Sequence, residues 1–231
     1  MTQEKTNAVA VIVAGGQGLR MQNAVPKQFL PLNDKPILYY AINAFIEAIP
    51  GIRVVLVLPK SHFSYANSVL LHFSSGIEIT IVEGGSNRFE SVKNGLGATA
   101  ASDIIFVHDG VRPLISQQLI HTCYTAAQEF GSAIPVVPVT DSIRQVAEHS
   151  GSRMVDRESL RAVQTPQTFK GSVLLPAFDQ PYQLSFTDEA SVVEAYGIEV
   201  HLVAGEKANL KITTPEDILF ATALQSIQDA S

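Results

Sequence analysis

The chain has one cysteine, Cys123, so no disulfide can form within it. Small secreted scaffolds that rely on cross-links are thereby excluded, and a reducing, cytoplasmic compartment is expected. Cys123 sits in an apolar, helix-like stretch and reads as a small buried residue. Long hydrophobic runs are also missing. The apolar run Ala8–Ala14 is far shorter than the roughly 20 residues that a membrane helix needs, and it is too short for a secretory segment. Basic excess is absent: the formal charge is −6, which argues against a general nucleic-acid binder with a basic face. Any anionic ligand must be met by a local gathering of Lys and Arg. Missing too are internal repeats, low-complexity tracts, a Cys/His metal cluster, a Gly-x-Ser-x-Gly elbow and a Cys–His dyad.

What is present is globular. Hydrophobic residues make up 46% and charged residues 16%, a balance that disordered chains do not have. At 231 residues the chain suits one domain. Short apolar runs alternate with longer amphipathic ones. Strands are predicted at Ala8–Ala14, Val54–Leu58, Ile77–Val82, Ile104–His108 and Ala133–Val139. Helices are predicted at Pro36–Ile49, Ser61–Phe73, Arg88–Ala100 and, with Ser116 as N-cap, Ser116–Phe130. This repetition predicts an α/β fold with a doubly wound, mostly parallel sheet. Ligands in such sheets sit outside the carboxyl ends of the strands. Thr140–Ala162 breaks the pattern: it is polar, has no clear core face, and reads as a linker, an arm or a projecting hairpin. Beyond it, helices are expected at Ser172–Phe178, Asp188–Tyr196 and Pro215–Ser226, and a strand at Glu199–Val203.

The unusual polar residues follow strand ends. Ala14-Gly15-Gly16-Gln17-Gly18-Leu19-Arg20-Met21 comes directly after the first strand, and Pro26-Lys27-Gln28 follows it. Glycines there let backbone N–H groups approach phosphates. A Walker A loop would end in Gly-Lys-Ser/Thr, and a dinucleotide fingerprint would have glycine where Met21 stands. Neither is met. An ordinary strand-to-helix turn stays open for the glycines alone. Arg20 and Lys27 favour phosphate, since two cations there can offset charge on a phosphoryl group under attack. Gly84-Gly85-Ser86-Asn87-Arg88, with Ser91, follows another strand and by itself reads first as a turn capped by Asn87 or Ser86, with a base site as the second reading. His108-Asp109-Gly110-Val111-Arg112-Pro113 places an acid and an Arg at a third strand end, for a ligand or as a loop brace. His108 alone reads as a structural histidine, and Thr187 as a helix cap. Lys211 is the functional candidate before the last helix.

Taken together, these segments resemble the cytidylyltransferase family that makes 4-diphosphocytidyl-2-C-methyl-D-erythritol in the non-mevalonate isoprenoid pathway. The likeness runs from about Ala8 to about Asp217. It rests on the motifs above in order, with Val155-Asp156-Arg157, Gln164-Thr165-Pro166-Gln167, Thr187-Asp188-Glu189-Ala190 and Lys211-Ile212-Thr213. The resemblance implies transfer of a cytidylyl group from CTP to a polyol phosphate, with a divalent cation, Mg²⁺, held mainly by the CTP phosphates and no protein metal cage. It implies Arg20 and Lys27 as transition-state stabilisers. Ala14, Gly15, Gly16, Gly18, Gly85, Ser91, Asp109 and Gly110 would line the nucleotide. Asp109, Arg112, Thr165 and Lys211 would hold the acceptor, joined by Ser142 and Arg157 from residues 140–162 of a second subunit, which makes that segment a dimerisation arm. Ribitol 5-phosphate cytidylyltransferases share the fold and most motifs, so ribitol 5-phosphate stands as the rival acceptor. A non-catalytic nucleotide or sugar-phosphate binder is disfavoured by the Arg20 and Lys27 pair. No nucleic-acid or membrane partner is expected. The family often has Ala-Ala where this chain has Gly110-Val111, and Thr where Ser142 stands.

Overall fold

Every residue of Ala8–Val13 is apolar, and such a run is stable as a strand only where both faces are covered. A computed structural model, which describes residues 7–16, 25–74, 76–147 and 151–229, puts it at the centre of the sheet. This is β1. A 3-10 turn at Lys27–Phe29 precedes the short hairpin β2 (Pro31–Leu32) and β3 (Lys35–Pro36). Then come α1 (Ile37–Ala48), β4 (Arg53–Leu58), α2 (Phe63–Leu70), β5 (Ile79–Glu83), α3 (Arg88–Leu96), β6 (Ile104–Asp109), α4 (Gln117–Phe130) and β7 (Ser132–Pro138). The rest of the chain carries β8 (Ile143–Val146), β9 (Ser152–Val155), β10 (Arg161–Val163), β11 (Gln167–Lys170), α5 (Gly171–Ala177), α6 (Glu189–Ala195), β12 (Leu202–Ala204) and α7 (Pro215–Asp229).

The α/β, mostly parallel sheet is as expected. β5, β4, β1 and β6 are parallel neighbours. Alternation along β1 assigns its two faces. Ala8, Ala10, Ile12 and Ala14 pack with Leu38, Ile42 and Phe45 of α1 and with Leu119, Ile120 and Cys123 of α4. Val9 and Val11 pack with Phe89, Val92 and Leu96 of α3 and with residues of α5 and α6. A smaller cluster joins Leu32, Ile37, Leu114, Ile212 and Ala221, which seats α7 against the β2–β3 hairpin. No helix among the described residues is long and apolar enough to cross a membrane.

Several boundaries differ from the sequence reading. The helix read over Arg88–Ala100 stops at Leu96, because the Asp103 side chain takes the Ala100 N–H at 2.7 Å and pairs with Arg53. Thr187 is not the cap of α6. Asp188 is, with Ser191 completing a reciprocal capping box. The strand read at Glu199–Val203 is Leu202–Ala204. β10 and β11 are additional, and β11 enters the sheet antiparallel between β6 and β7. The segment left open as linker, arm or hairpin contains a hairpin: β8 and β9 form a two-stranded antiparallel sheet of their own.

Gly95 shows how closely α3 lies on the sheet. A Cβ there would meet Val11 Cγ1 and Val57 Cγ2, each at 2.7 Å. Gly95→Ala gains about 1 kcal/mol of helix propensity, whereas overpacking a core contact costs about 1–3 kcal/mol. The two valines are fixed in neighbouring strands, so overpacking wins. We expect a net loss of about 1 kcal/mol, and at most about 2 kcal/mol, by denaturant unfolding. An unchanged midpoint would show that α3 is free to shift.

Candidate active site

A cavity of about 530 Å³ opens at the carboxyl ends of β1, β4, β5 and β6. β1 contributes Val13, Ala14, Gly15 and Gly16. Among the described residues, added methyls on Gly15 and Gly16 would meet nothing nearer than 3.9 and 3.8 Å. Packing against the described residues does not demand these glycines, and what they provide is bare backbone beside the cavity. Gln28 holds this end of β1: its buried amide donates to the Ala14 carbonyl at 2.6 Å. Lys27 lines the cavity and donates to the Ile212 carbonyl at 2.9 Å. Gly18 and Arg20 lie outside the described residues.

The β5 side is set by a capped helix start. The Asn87 side chain accepts from the Glu90 N–H, while Glu90 accepts from both the N–H and the hydroxyl of Ser86 at 2.8 Å. Those bonds from Ser86 hold the Glu90 carboxyl below its ordinary pKa. A Cβ on Gly85 would stand 2.2 Å from Glu90 Cβ, so only glycine fits this turn. Ser91, buried against the cavity, donates its hydroxyl to the Asn87 carbonyl at 2.8 Å and accepts from the Gly85 N–H at 3.1 Å.

The acidic wall is Asp109, the last residue of β6. Lys211 Nζ lies 2.9 Å from its carboxylate, Arg88 Nη2 3.5 Å and Arg112 Nε 3.6 Å. Burial alone would raise its pKa, but Arg88, Lys211 and Arg112 outweigh burial and hold it well below the usual carboxylate range. Arg88 also grips the buried Glu189 with both of its terminal nitrogens. Burial pushes the Glu189 carboxyl up, against the pull of Arg88. Three cations thus face two carboxylates, and Lys27 stands nearby. In a chain of formal charge −6 this is the local positive site that an anion requires.

Arg112 and Thr165 are buried and stand behind this wall, not among the residues lining the cavity. Arg112 donates to the Asn209 carbonyl at 2.7 Å, and the Asn209 amide donates to the Thr165 carbonyl at 2.9 Å. Gly110 packs tightly, since a Cβ there would meet Leu38 Cδ1 at 2.9 Å and Ala14 Cβ at 3.1 Å. Ser142 is exposed beside the β8–β9 hairpin. Arg157 donates to the Thr140 carbonyl at 2.6 Å and is half exposed. Neither lines the cavity. Sequence reading quoted Arg88 and Glu189 within motifs but gave them no role. They are 101 positions apart, and the signal that links them is a buried carboxylate that demands a cation.

A family model described as 2-C-methyl-D-erythritol 4-phosphate cytidylyltransferase matches residues 8–226. The chain belongs to that family. Among cytidylyltransferases of this name, the one from Phocaeicola vulgatus is 44% identical, covering 94% of this chain and 99% of its own length. That from Bacteroides thetaiotaomicron is 42% identical, over 93% and 97% respectively. Of solved cytidylyltransferase structures, the one from Thermus thermophilus superposes with a TM-score of 0.74 at 32% identity, covering 94% of this chain and 98% of that one. A 4-diphosphocytidyl-2C-methyl-D-erythritol synthase from Anaerococcus prevotii gives 0.81 at 25% identity, over 96% and 97%.

His108, next to the acidic wall, gives this cytidylyltransferase fold a pH signature. The imidazole is fully buried, and burial pushes its pKa down from 6.5 to about 4. The unfolded chain therefore takes up a proton at His108 between these values while the folded chain does not. Stability is complete above about pH 6.5 and falls as pH drops toward about 4, by at most about 3 kcal/mol from this group. Denaturant unfolding of wild type and His108→Asn across pH 4–7 measures it. We expect a shallower slope in the variant, and equal slopes would remove His108 as its source.

Proposed function

We propose that the chain transfers a cytidylyl group from CTP to the phosphate of 2-C-methyl-D-erythritol 4-phosphate. An oxygen of the acceptor phosphate bonds to the α-phosphorus. The bond from that phosphorus to the bridging oxygen breaks, and the electron pair leaves with pyrophosphate. The observation that carries this reading is the meeting, in one cavity, of bare glycine backbone and Lys27 with the Asp109–Lys211–Arg88 cluster. The triphosphate has the glycines and Lys27, with Arg20 expected from the same loop. The acceptor has Asp109 and Lys211, braced from behind by Arg112 and Thr165.

Ser91 supports cytosine. Its only hydrogen is committed to the Asn87 carbonyl, and one lone pair to the Gly85 N–H. What it offers is a lone pair, which suits the amino group of cytosine and opposes the carbonyl of uracil. Mg²⁺ belongs to the reading as a partner of the phosphates. Among the described residues no three His, Cys, Asp or Glu side chains gather to hold a metal, and Asp109 is already compensated by cations. The donor set therefore fits an ion carried in by CTP, which would neutralise triphosphate charge. A cytoplasmic setting belongs to the reading, since a chain with Cys123 as its single cysteine relies on no internal disulfide.

The arm completes the proposal. Val146 and Met154 share one face of the β8–β9 hairpin and are 78% and 75% exposed. An isolated hairpin is marginally stable, and two bare apolar side chains on one of its faces suit packing on a second copy. Such a homodimer would carry Ser142 and Arg157 to the neighbour's acceptor site.

Pyrophosphate release with Mg²⁺, crossing CTP and UTP against 2-C-methyl-D-erythritol 4-phosphate and ribitol 5-phosphate, tests substrate and base together. We expect turnover with CTP and the methylerythritol phosphate. Preference for ribitol 5-phosphate would reassign the acceptor. Lys27→Ala and Arg20→Ala should each lower kcat on the order of 10²-fold, and near wild-type kcat in both would remove them from the mechanism. Heterodimers of Lys27→Ala with Arg157→Ala test the arm. If it acts in trans, one of the two sites regains both residues and activity rises well above either parent. Activity no higher than the parents would count against the arm.

A further inference from the structure

We propose that His108 is a positioning residue for the acceptor side of the site: its Nδ1 lone pair fixes the Thr165 hydroxyl, and that hydroxyl fixes the backbone of Asp109. This rests on the assignment of Asp109 to the acceptor made above. The argument starts from the sheet. β11 begins at Gln167, which pairs with Val107 of β6. On that side of β6 the ladder therefore ends before Asp109. Gly110 is tied on the other side, to the Val13 carbonyl at 2.9 Å. The Asp109 N–H still needs an acceptor, because a buried amide left unpaired costs about 1–3 kcal/mol. The Thr165 hydroxyl oxygen supplies it at 3.1 Å and extends the ladder by one side-chain bond.

A hydroxyl that accepts can rotate unless its hydrogen is also taken. Thr165 Oγ1 lies 3.1 Å from His108 Nδ1, and His108 Nε2 lies 3.1 Å from the Arg112 carbonyl. A carbonyl only accepts, so Nε2 carries the imidazole hydrogen. Nδ1 is then the acceptor in the neutral ring, and the Thr165 O–H points to it. The ring itself is fixed, being fully buried and edge-on to Phe45 with centroids 5.1 Å apart. One imidazole thus ties both ends of the turn from Asp109 to Arg112, the two residues whose charges lie 3.6 Å apart.

Two substitutions separate the two nitrogens. His108→Gln reaches the Arg112 carbonyl with an amide but leaves nothing at the Nδ1 position. His108→Asn puts an amide oxygen where Nδ1 stands. With 2-C-methyl-D-erythritol 4-phosphate as acceptor, His108→Gln and Thr165→Val should each lower kcat/KM for the acceptor about 10-fold or more. CTP affinity should stay within about twofold, and His108→Asn and Thr165→Ser should recover most of the loss. The Gln–Val double variant should be no worse than either single variant, since both break one linkage. An Asn variant as impaired as the Gln variant, an equal loss of CTP affinity, or additive losses in the double variant would overturn the proposal. Ring ¹⁵N shifts of His108 in the wild-type protein give a readout that needs neither activity nor variants. The Nε2–H tautomer with a hydrogen-bonded Nδ1 is expected, and the Nδ1–H tautomer would overturn the linkage. A wild-type protein that ignores this acceptor but shows the expected tautomer would count against the assigned reaction, leaving the linkage intact.

Discussion

The site depends on one buried carboxylate. Asp109 ends β6 and meets cations from three separate parts of the chain: Arg88 at the start of α3, Arg112 in the following turn, and Lys211 before α7. Two like charges 4 Å apart repel by about 4 kcal/mol at an effective dielectric constant of 20. Gathering three cations around one point with no anion between them would therefore oppose folding. Asp109 converts that repulsion into attraction and still leaves positive charge over for a ligand, because Glu189 balances only part of the remainder. The order of magnitudes explains why the carboxylate stays ionised despite burial: three nearby cations outweigh a single desolvation penalty.

Sheet order is what makes this gathering possible. The parallel strands β5, β4, β1 and β6 align their carboxyl ends, so the glycines after β1, the capped turn after β5 and Asp109 after β6 face a common space. The antiparallel entry of β11 beside β6 brings Thr165 against Asp109, 56 positions away in sequence. The segment Asn209–Thr213 then crosses both halves. It receives Lys27 at the Ile212 carbonyl and Arg112 at the Asn209 carbonyl, and sends Lys211 to Asp109. Nucleotide-side and acceptor-side cations are thereby referenced to the same stretch of backbone.

The parallel half was legible from sequence because its strands are apolar on both faces and its helices follow at regular intervals. Ala8–Val13 and Val54–Leu58 leave no other reading. β11 was not legible, because it buries Gln167 and Thr168 in the middle of the sheet, where an apolar pattern would be sought. The Gln167 side chain is spent on tertiary partners. Gln167 pairs with Asp188 and receives the Ala190 N–H, which pins α6 to the sheet. The same holds within the site. Lys27 and Asp109 stood out as charges after strand ends and Lys211 as a cation before the last helix, and the structure groups Asp109 with Lys211 and lines the cavity with all three. The Arg88–Glu189 pair did not stand out, since its meaning lies in burial that no local spacing encodes. Arg112 was left open between a ligand contact and a loop brace by its motif, Thr165 was given to the acceptor by the family resemblance, and the fold sets both in the layer that holds Asp109.

Two hydroxyls share a design that bears on how such a site achieves selectivity. Ser91 donates to the Asn87 carbonyl and accepts from the Gly85 N–H. Thr165 donates to His108 and accepts from the Asp109 N–H. A hydroxyl in water or on a surface reorients to suit whatever approaches it, and so discriminates little between a donor and an acceptor. Once its hydrogen is committed inside the protein, it becomes a fixed dipole: Ser91, at the cavity, has a lone pair on offer, while Thr165, behind the wall, turns its oxygen to the Asp109 N–H. Reversing such a dipole would break an internal hydrogen bond and leave a buried group unpaired, at about 1–3 kcal/mol, or roughly 5-fold to 150-fold in selectivity. The protein meets this requirement with main-chain carbonyls and one neutral imidazole, groups already fixed by strand ends and helix caps. Direction is thus set before any ligand arrives, which is the condition under which a polar contact contributes to orienting a reactant instead of being reoriented by it.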